Sequence, residues 1–259
     1  MSDKFIKLPD IDYSFWKEKN EFYSSESLSE STKKGLMHAS KAGLIDKFIF
    51  RSNLDLVKFI DAKISEHCNP SDFSDEDLLL IFDLIQGWGG ANCRAPYVRP
   101  KHSPWRFDPN YSIKYRESVQ MLYEIKQDPS NSEVAKISKT ICQMNGVKEP
   151  FATKHMYFWS KNLSGCRVLL VYDTRMKAIF NASNKLYSSG LDYVSFLNSV
   201  TDKANEMRLT EVEIEKALFA FSSNYYKNKE KLTLKSEEQI KYQHPKDDLY
   251  AKELSKNHY

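Results

Sequence analysis

Cysteine is scarce and scattered in this chain of 259 residues, with four in all, at Cys68, Cys93, Cys142 and Cys166. No Cys-x-x-Cys pair and no His–Cys cluster at metal spacing occurs, so neither a zinc site nor an iron–sulfur cluster is indicated, and reduced thiols are the expectation. No metal and no cofactor is expected. Long apolar runs are also missing. None approaches the roughly 18 residues of a membrane span, and the opening MSDKFIKLPD has no signal-peptide core. A soluble, cytoplasmic protein with no membrane contact is expected. Nor does charge of one sign prevail: 38 Lys and Arg stand against 35 Asp and Glu, a formal charge of +3. That balance permits an anionic partner without requiring one, so a case for nucleic acid must rest on local charge. Alternation at period two is absent apart from the short run into Tyr172, and no internal repeat is visible.

What is present is helical pattern. The 41% hydrophobic residues suffice to bury a core, which argues against disorder of the whole chain. Residues 1–30 read as an arm whose Phe15, Trp16, Phe22 and Tyr23 pack onto a domain, followed by the polar SSESLSES. Residues 31–226 read as one helical domain, and 227–259 as a charged tail or lone helix whose lysines and acids nearly balance. Within the domain, apolar stripes run through Leu36 to Ile45 and through Leu54 to Ile64. The next helix has Ser74 as N-cap, Asp75, Glu76 and Asp77 in its first turn, and a buried face from Leu78 to Ile85 before Gly87 stops it. Further helices are expected over 111–126, 132–144, 191–204 and 210–226, the last opening on a capping box of Thr210 and Glu213. The fold class is therefore all-α, with little or no sheet.

Between Gly87 and Pro109, three glycines and four prolines exclude regular structure, and a loop that long inside a domain is usually functional. Between Ala91 and Arg106 it carries Arg94, Arg99, Lys101, His102 and Arg106 without an acidic residue, interleaved with Tyr97 and Trp105. Cations for phosphates beside rings that stack on bases suit a nucleic-acid surface. An ordinary basic loop whose aromatics plug the core has the same composition.

The most informative stretch is NGVKEPFATKHMYFWSKNLSGCRVLLVYDTRMKAIF, residues 145–180. It reads as a turn at Asn145-Gly146, a helix opening at Pro150, a loop at Ser164-Gly165, an apolar run from Val168 to Tyr172, and a second helix capped by Asp173. Lys154 lies near the second turn of the first helix. There the positive end of the macrodipole, and burial among Phe151, Phe158 and Trp159, disfavour the ammonium form, and a neutral amine is a nucleophile that forms Schiff bases. Asp173 at a helix start stays ionised and rigid with one oxygen turned to a site. A solvent-facing helical lysine and an ordinary capping aspartate have the same sequence. His155 points about 100° away from Lys154 around the helix and reads as structural.

Taken together, a Gly-containing turn, a helix with a lysine near its start, a short apolar segment and a capping aspartate resemble the core of the helix-hairpin-helix DNA glycosylase superfamily. The resemblance is to its 8-oxoguanine DNA glycosylase branch and covers residues 145–180. The lysine–aspartate separation agrees with that family's, whereas the turn is longer than the usual Leu-Pro-Gly-Val-Gly and lacks one glycine. The resemblance implies a multi-helix glycosylase-like fold and a monomer that flips a modified purine, 8-oxoguanine first, out of duplex DNA. It implies that Lys154 attacks the anomeric carbon, giving an associated lyase activity, and that Asp173 assists and stabilises the sugar cation. Candidate base-contacting residues are Gln86, Trp88 and Trp159. Candidate DNA contacts are Arg94, Arg99, Lys101, Arg106, Arg175 and the amides of Gly146 and Val147. The alternatives are a glycosylase directed at modified bases of phage DNA and a non-catalytic helical DNA-binding protein.

Overall fold

The computed structural model describes residues 8–19, 27–41, 50–90, 97–98, 106–107, 109–125, 129–144, 147–163, 165–173, 176 and 192–227. Helix dominates them, as the patterning predicts, and the chain divides into two compact units, one of residues 23–171 and one of residues 1–22 with 172–259. The division falls between Val171 and Tyr172, within the 145–180 stretch.

The 23–171 unit contains α1 (Glu30–Lys41), α2 (Asn53–Ser65), a 3-10 turn (Pro70–Asp72), α3 (Asp75–Trp88), a two-residue antiparallel pair of β1 (Tyr97–Val98) and β2 (Arg106–Phe107), α4 (Pro109–Glu124), α5 (Asn131–Cys142) and α6 (Glu149–Lys161). In that pair Tyr97 faces Phe107 and Val98 faces Arg106. The central element is α3, which packs against α1, α2, α4 and α6. Its start is secured by a capping box in which Ser74 and Asp77 satisfy each other's backbone N–H groups. Arg116 on α4 reinforces that start by donating to the carbonyls of Pro70 and Phe73 and pairing with Asp75 at 2.9 Å. From Ile81 to Trp88 every residue of α3 is buried, and a helix apolar nearly all round belongs inside a core.

Four expectations need correction. Gly87 does not end α3, which continues to Trp88 with Gly89 as C-cap. Gly87 is required for space: a Cβ there would lie 2.5 Å from the Leu36 side chain and 3.1 Å from its backbone nitrogen, so the missing methyl is what lets α1 approach. A Cβ on Gly89 would likewise meet the Phe151 ring at 2.5 Å, while Gly90 takes the left-handed φ of 100° that turns the chain away. The Gly87–Pro109 stretch is also not wholly irregular, since β1 and β2 pair within it and Pro109 opens α4, a position where its absent N–H costs nothing. Leu54 is exposed, so the buried stripe of α2 is Leu56, Ile60 and Ile64, spaced four apart on one face. Finally, Val168–Tyr172 is not part of a helix or strand; its buried end is anchored by Leu169, whose N–H donates to Ser160 Oγ at 2.8 Å.

The other unit contains α7 (Tyr13–Glu18), α8 (Asp192–Met207) and α9 (Glu211–Lys227), where α7 is numbered with its unit although it comes first in the chain. Asp12 caps α7 through the Phe15 N–H, and Trp16 packs edge-on to Phe221 at 5.5 Å, docking the amino-terminal helix onto α9. Lys17 pairs with Glu213 at 2.7 Å, and Glu213 also closes the expected capping box with Thr210. Tyr172 stacks on Phe196 at 4.9 Å.

Gly87→Ala should lower stability by about 1–2 kcal/mol, because steric overlap with α1 outweighs the better helix propensity of alanine. Urea unfolding measures it; an unchanged or raised midpoint would show that α1 is not seated on Gly87.

Candidate functional site

The site grows from α6. Pro150 sits in its first turn and Lys148 takes the N-cap position without a side-chain cap. The α6 residues Ala152–Ser160 are all buried, and its far end is tied to α2 by Lys161, 2.8 Å from Asp61, and by Asn162, which donates to the same carboxylate at 2.9 Å. Lys154 is only 8% exposed. Its Nζ donates to the Pro150 carbonyl at 3.3 Å and lies 5.1 Å over the Phe151 ring, so the amine folds back over the first turn of its own helix. Phe151 is the ring that fills the space beside Gly89, so the end of α3 and the amine of α6 share a neighbour.

The next residue, His155, is fully buried. Its ring lies flat on Phe82, 4.7 Å between centres and 19° between planes. Nε2 is 3.0 Å from the Gln86 amide and Nδ1 is 2.8 Å from Tyr115 Oη, which also accepts the indole N–H of Trp159 at 2.8 Å. Burial, helped by the Lys154 charge, pushes His155 down to about 3. Burial pushes the carboxyl of Asp83, three residues before Gln86 on α3, well above the usual carboxylate range, and raises the Tyr115 phenol as well.

The residues expected to contact a base are thus gathered around α6. Gln86 is bonded to His155, Trp159 is fully buried with its N–H on Tyr115, and Trp88 is buried edge-on to Phe158 at 5.1 Å. Val147 is buried and its N–H is donated to the Met144 carbonyl at 3.0 Å, which engages that amide inside the turn. Asp173 is half-buried, and its Oδ1 accepts the N–H of Met176 at 3.0 Å, the bond of an N-cap. It belongs to the 172–259 unit and Lys154 to the 23–171 unit. Of Arg106 only the backbone, in β2, is described; Arg94, Arg99, Lys101, Gly146 and Arg175 lie outside the described residues. Among the described residues no group of three or more His, Cys, Asp or Glu stands at metal-binding geometry, and no helix is long and apolar enough to cross a membrane.

Sequence reasoning missed Asp83 and the role of Tyr115. The signal for Asp83 was present: it is the single charge inside the apolar run Leu78–Ile85. Tyr115 carries no such signal, because an aromatic at a core position of an amphipathic helix is ordinary.

No family model, curated protein or solved structure matches this chain. The chemistry therefore has to be argued from its own residues.

The buried pair His155 and Asp83 has opposite linkage signs. Neutral His155 stabilises the fold fully above its ordinary value of 6.5, and that contribution is lost as pH falls from 6.5 towards 3. Asp83 contributes fully below its ordinary 3.8, and loses that contribution as pH rises through its elevated folded value. Each slope is at most about 1.4 kcal/mol per pH unit. The titratable groups facing them are Lys154 and Tyr115. Asp83→Asn removes only the second slope, so its stability gain over the wild type should grow as pH is raised from about 4 to about 8 in urea unfolding. A gain independent of pH would mean that Asp83 stays ionised in the fold.

Proposed function

We propose that this protein is a DNA glycosylase that flips a modified purine, 8-oxoguanine first, out of duplex DNA and cleaves its N-glycosidic bond, acting as a monomer in the cytoplasm. The observation that carries the reading is Lys154: a buried amine in the second turn of α6, over the Phe151 ring, in the stretch that resembles the lysine-bearing core of the helix-hairpin-helix glycosylases. A lysine drawn out of water at the positive end of a helix is in the environment that activates amine nucleophiles. Its nitrogen attacks the anomeric carbon as the base departs and gives up a proton; cleavage of the C1′–O4′ bond then opens the sugar ring, with O4′ taking a proton, and leaves a Schiff base between Lys154 and C1′. Abstraction of a 2′ proton then expels the 3′ phosphate by β-elimination. Asp173, held in place by its cap bond to Met176, is assigned the stabilisation of the sugar cation that develops in the transition state. The extruded base has to be recognised by hydrogen bonds to its edge and by stacking; Trp88 remains a nominee for the stacking, with the basic 94–106 stretch on the phosphates, whereas Gln86 and Trp159 have their polar groups engaged within the core.

Borohydride reduction in the presence of a duplex carrying one 8-oxoguanine or abasic site should trap a covalent complex. Lys154→Gln should abolish it, and a surviving adduct would show that another amine is the nucleophile. Asp173→Asn should slow trapping about 10²–10³-fold while DNA affinity stays near wild type; loss of folding instead would make Asp173 a structural cap. Adducts formed only with phage-type modified bases would favour the defence reading, and salt-dependent DNA binding with no adduct on any substrate would favour a non-catalytic DNA-binding protein.

A further inference from the structure

Five side chains of the 23–171 unit, Trp159, Tyr115, His155, Gln86 and Asp83, form a buried row whose protons can be assigned one after another. The Trp159 indole can only donate, so Tyr115 Oη accepts from it at 2.8 Å. Trp159 and His155 are the partners of Tyr115 Oη, so the phenolic proton must point to His155 Nδ1, 2.8 Å away. Nδ1 is then an acceptor, and a neutral imidazole in that state carries its proton on Nε2. The Nε2–H needs an acceptor, and the group 3.0 Å from it is the side-chain amide of Gln86. A half-turn of the amide interchanges its oxygen and nitrogen; only the orientation that presents Oε1 to His155 completes the bond. That same half-turn moves the NH2 group to the buried position that otherwise holds an oxygen with no hydrogen-bond partner. Asp83 Oδ2 is also buried without a hydrogen-bond partner, three residues away on the same helix, a spacing at which Asp and Gln side chains can reach one another. The amide orientation that serves His155 is therefore also the one that can serve Asp83.

We infer that these residues form a hydrogen-bond relay of fixed polarity, running from Trp159 through Tyr115, His155 and Gln86 to Asp83, which holds His155 as the Nε2–H tautomer and makes His155 and Gln86 positioning residues for the adjacent Lys154 amine. The second half of the inference rests on the proposed glycosylase reading; the first half does not. Asp83 closes the relay as an acceptor whether its carboxyl is neutral or ionised, because one oxygen is free to accept in both states. The relay fixes the rotation of α6 about its axis, and Lys154, one residue before His155, turns with it. A neutral imidazole at this position also keeps a second positive charge away from the amine.

The test reads tautomer and chemistry separately. In histidine 15N-labelled full-length protein, long-range proton–nitrogen correlation should show an imidazole that does not titrate between about pH 5 and 8 and has the Nε2–H pattern. Asp83→Asn retains a carbonyl acceptor for the Gln86 amide and should keep that pattern. Gln86→Glu places a carboxylate on Nε2–H and should bring the same imidazole into the titrating range. In borohydride trapping on an abasic-site duplex, Gln86→Met should slow adduct formation at least tenfold with DNA affinity within about twofold, and Asp83→Asn should trap near the wild-type rate. An Nδ1–H pattern in the wild type, or a pattern changed by Asp83→Asn, overturns the relay. Unchanged trapping in Gln86→Met overturns the positioning role alone. A wild-type protein that traps nothing overturns the glycosylase reading and the positioning role with it, while the tautomer still decides the relay.

Discussion

His155 lies flat on Phe82, and that contact joins α6 to α3. It brings a titratable ring into a buried core, where the polar atoms around it need hydrogen-bond partners. Gln86 answers from α3, Tyr115 from α4, and Trp159 from the next turn of α6. The cost of leaving any of them unmatched makes the rotation and depth of α6 nearly unadjustable, which is the condition a nucleophile on that helix requires.

The glycines at the end of α3 belong to the same arrangement. Gly87 admits α1, Gly89 admits the Phe151 ring, and Gly90 turns the chain out of the core. Phe151 then lies under the Lys154 amine. A stretch that reads in the sequence as a break is, in the fold, a close-packed corner where three elements meet. Its glycines are spatial requirements more than conformational ones.

Local signals were legible. The Ser74 cap, the Thr210–Glu213 box, the helix behind Pro150, the cap bond of Asp173 and the near absence of sheet among the described residues can all be read from short windows, because the interactions that create them span three or four residues. What was not legible depends on contacts far apart in the chain. The reason for Gly87 is Leu36, and the partner of Gln86 is His155. Leu54 counts as apolar in any window, yet faces solvent because its helix presents Leu56, Ile60 and Ile64 to the core instead. Asp83 broke an apolar run visibly, but its consequence appears only once Gln86 and His155 are beside each other.

The proposed glycosylase function rests on one atom, the Lys154 nitrogen, as the group that would form the covalent bond to DNA. Tryptic mapping of the borohydride-reduced complex locates that bond directly. The expected product is a modified peptide spanning residues 149–161, uncut at Lys154 and carrying the mass of the reduced sugar remnant. A remnant on any other lysine, or on the amino terminus, with 149–161 cleaved normally at Lys154, would contradict it.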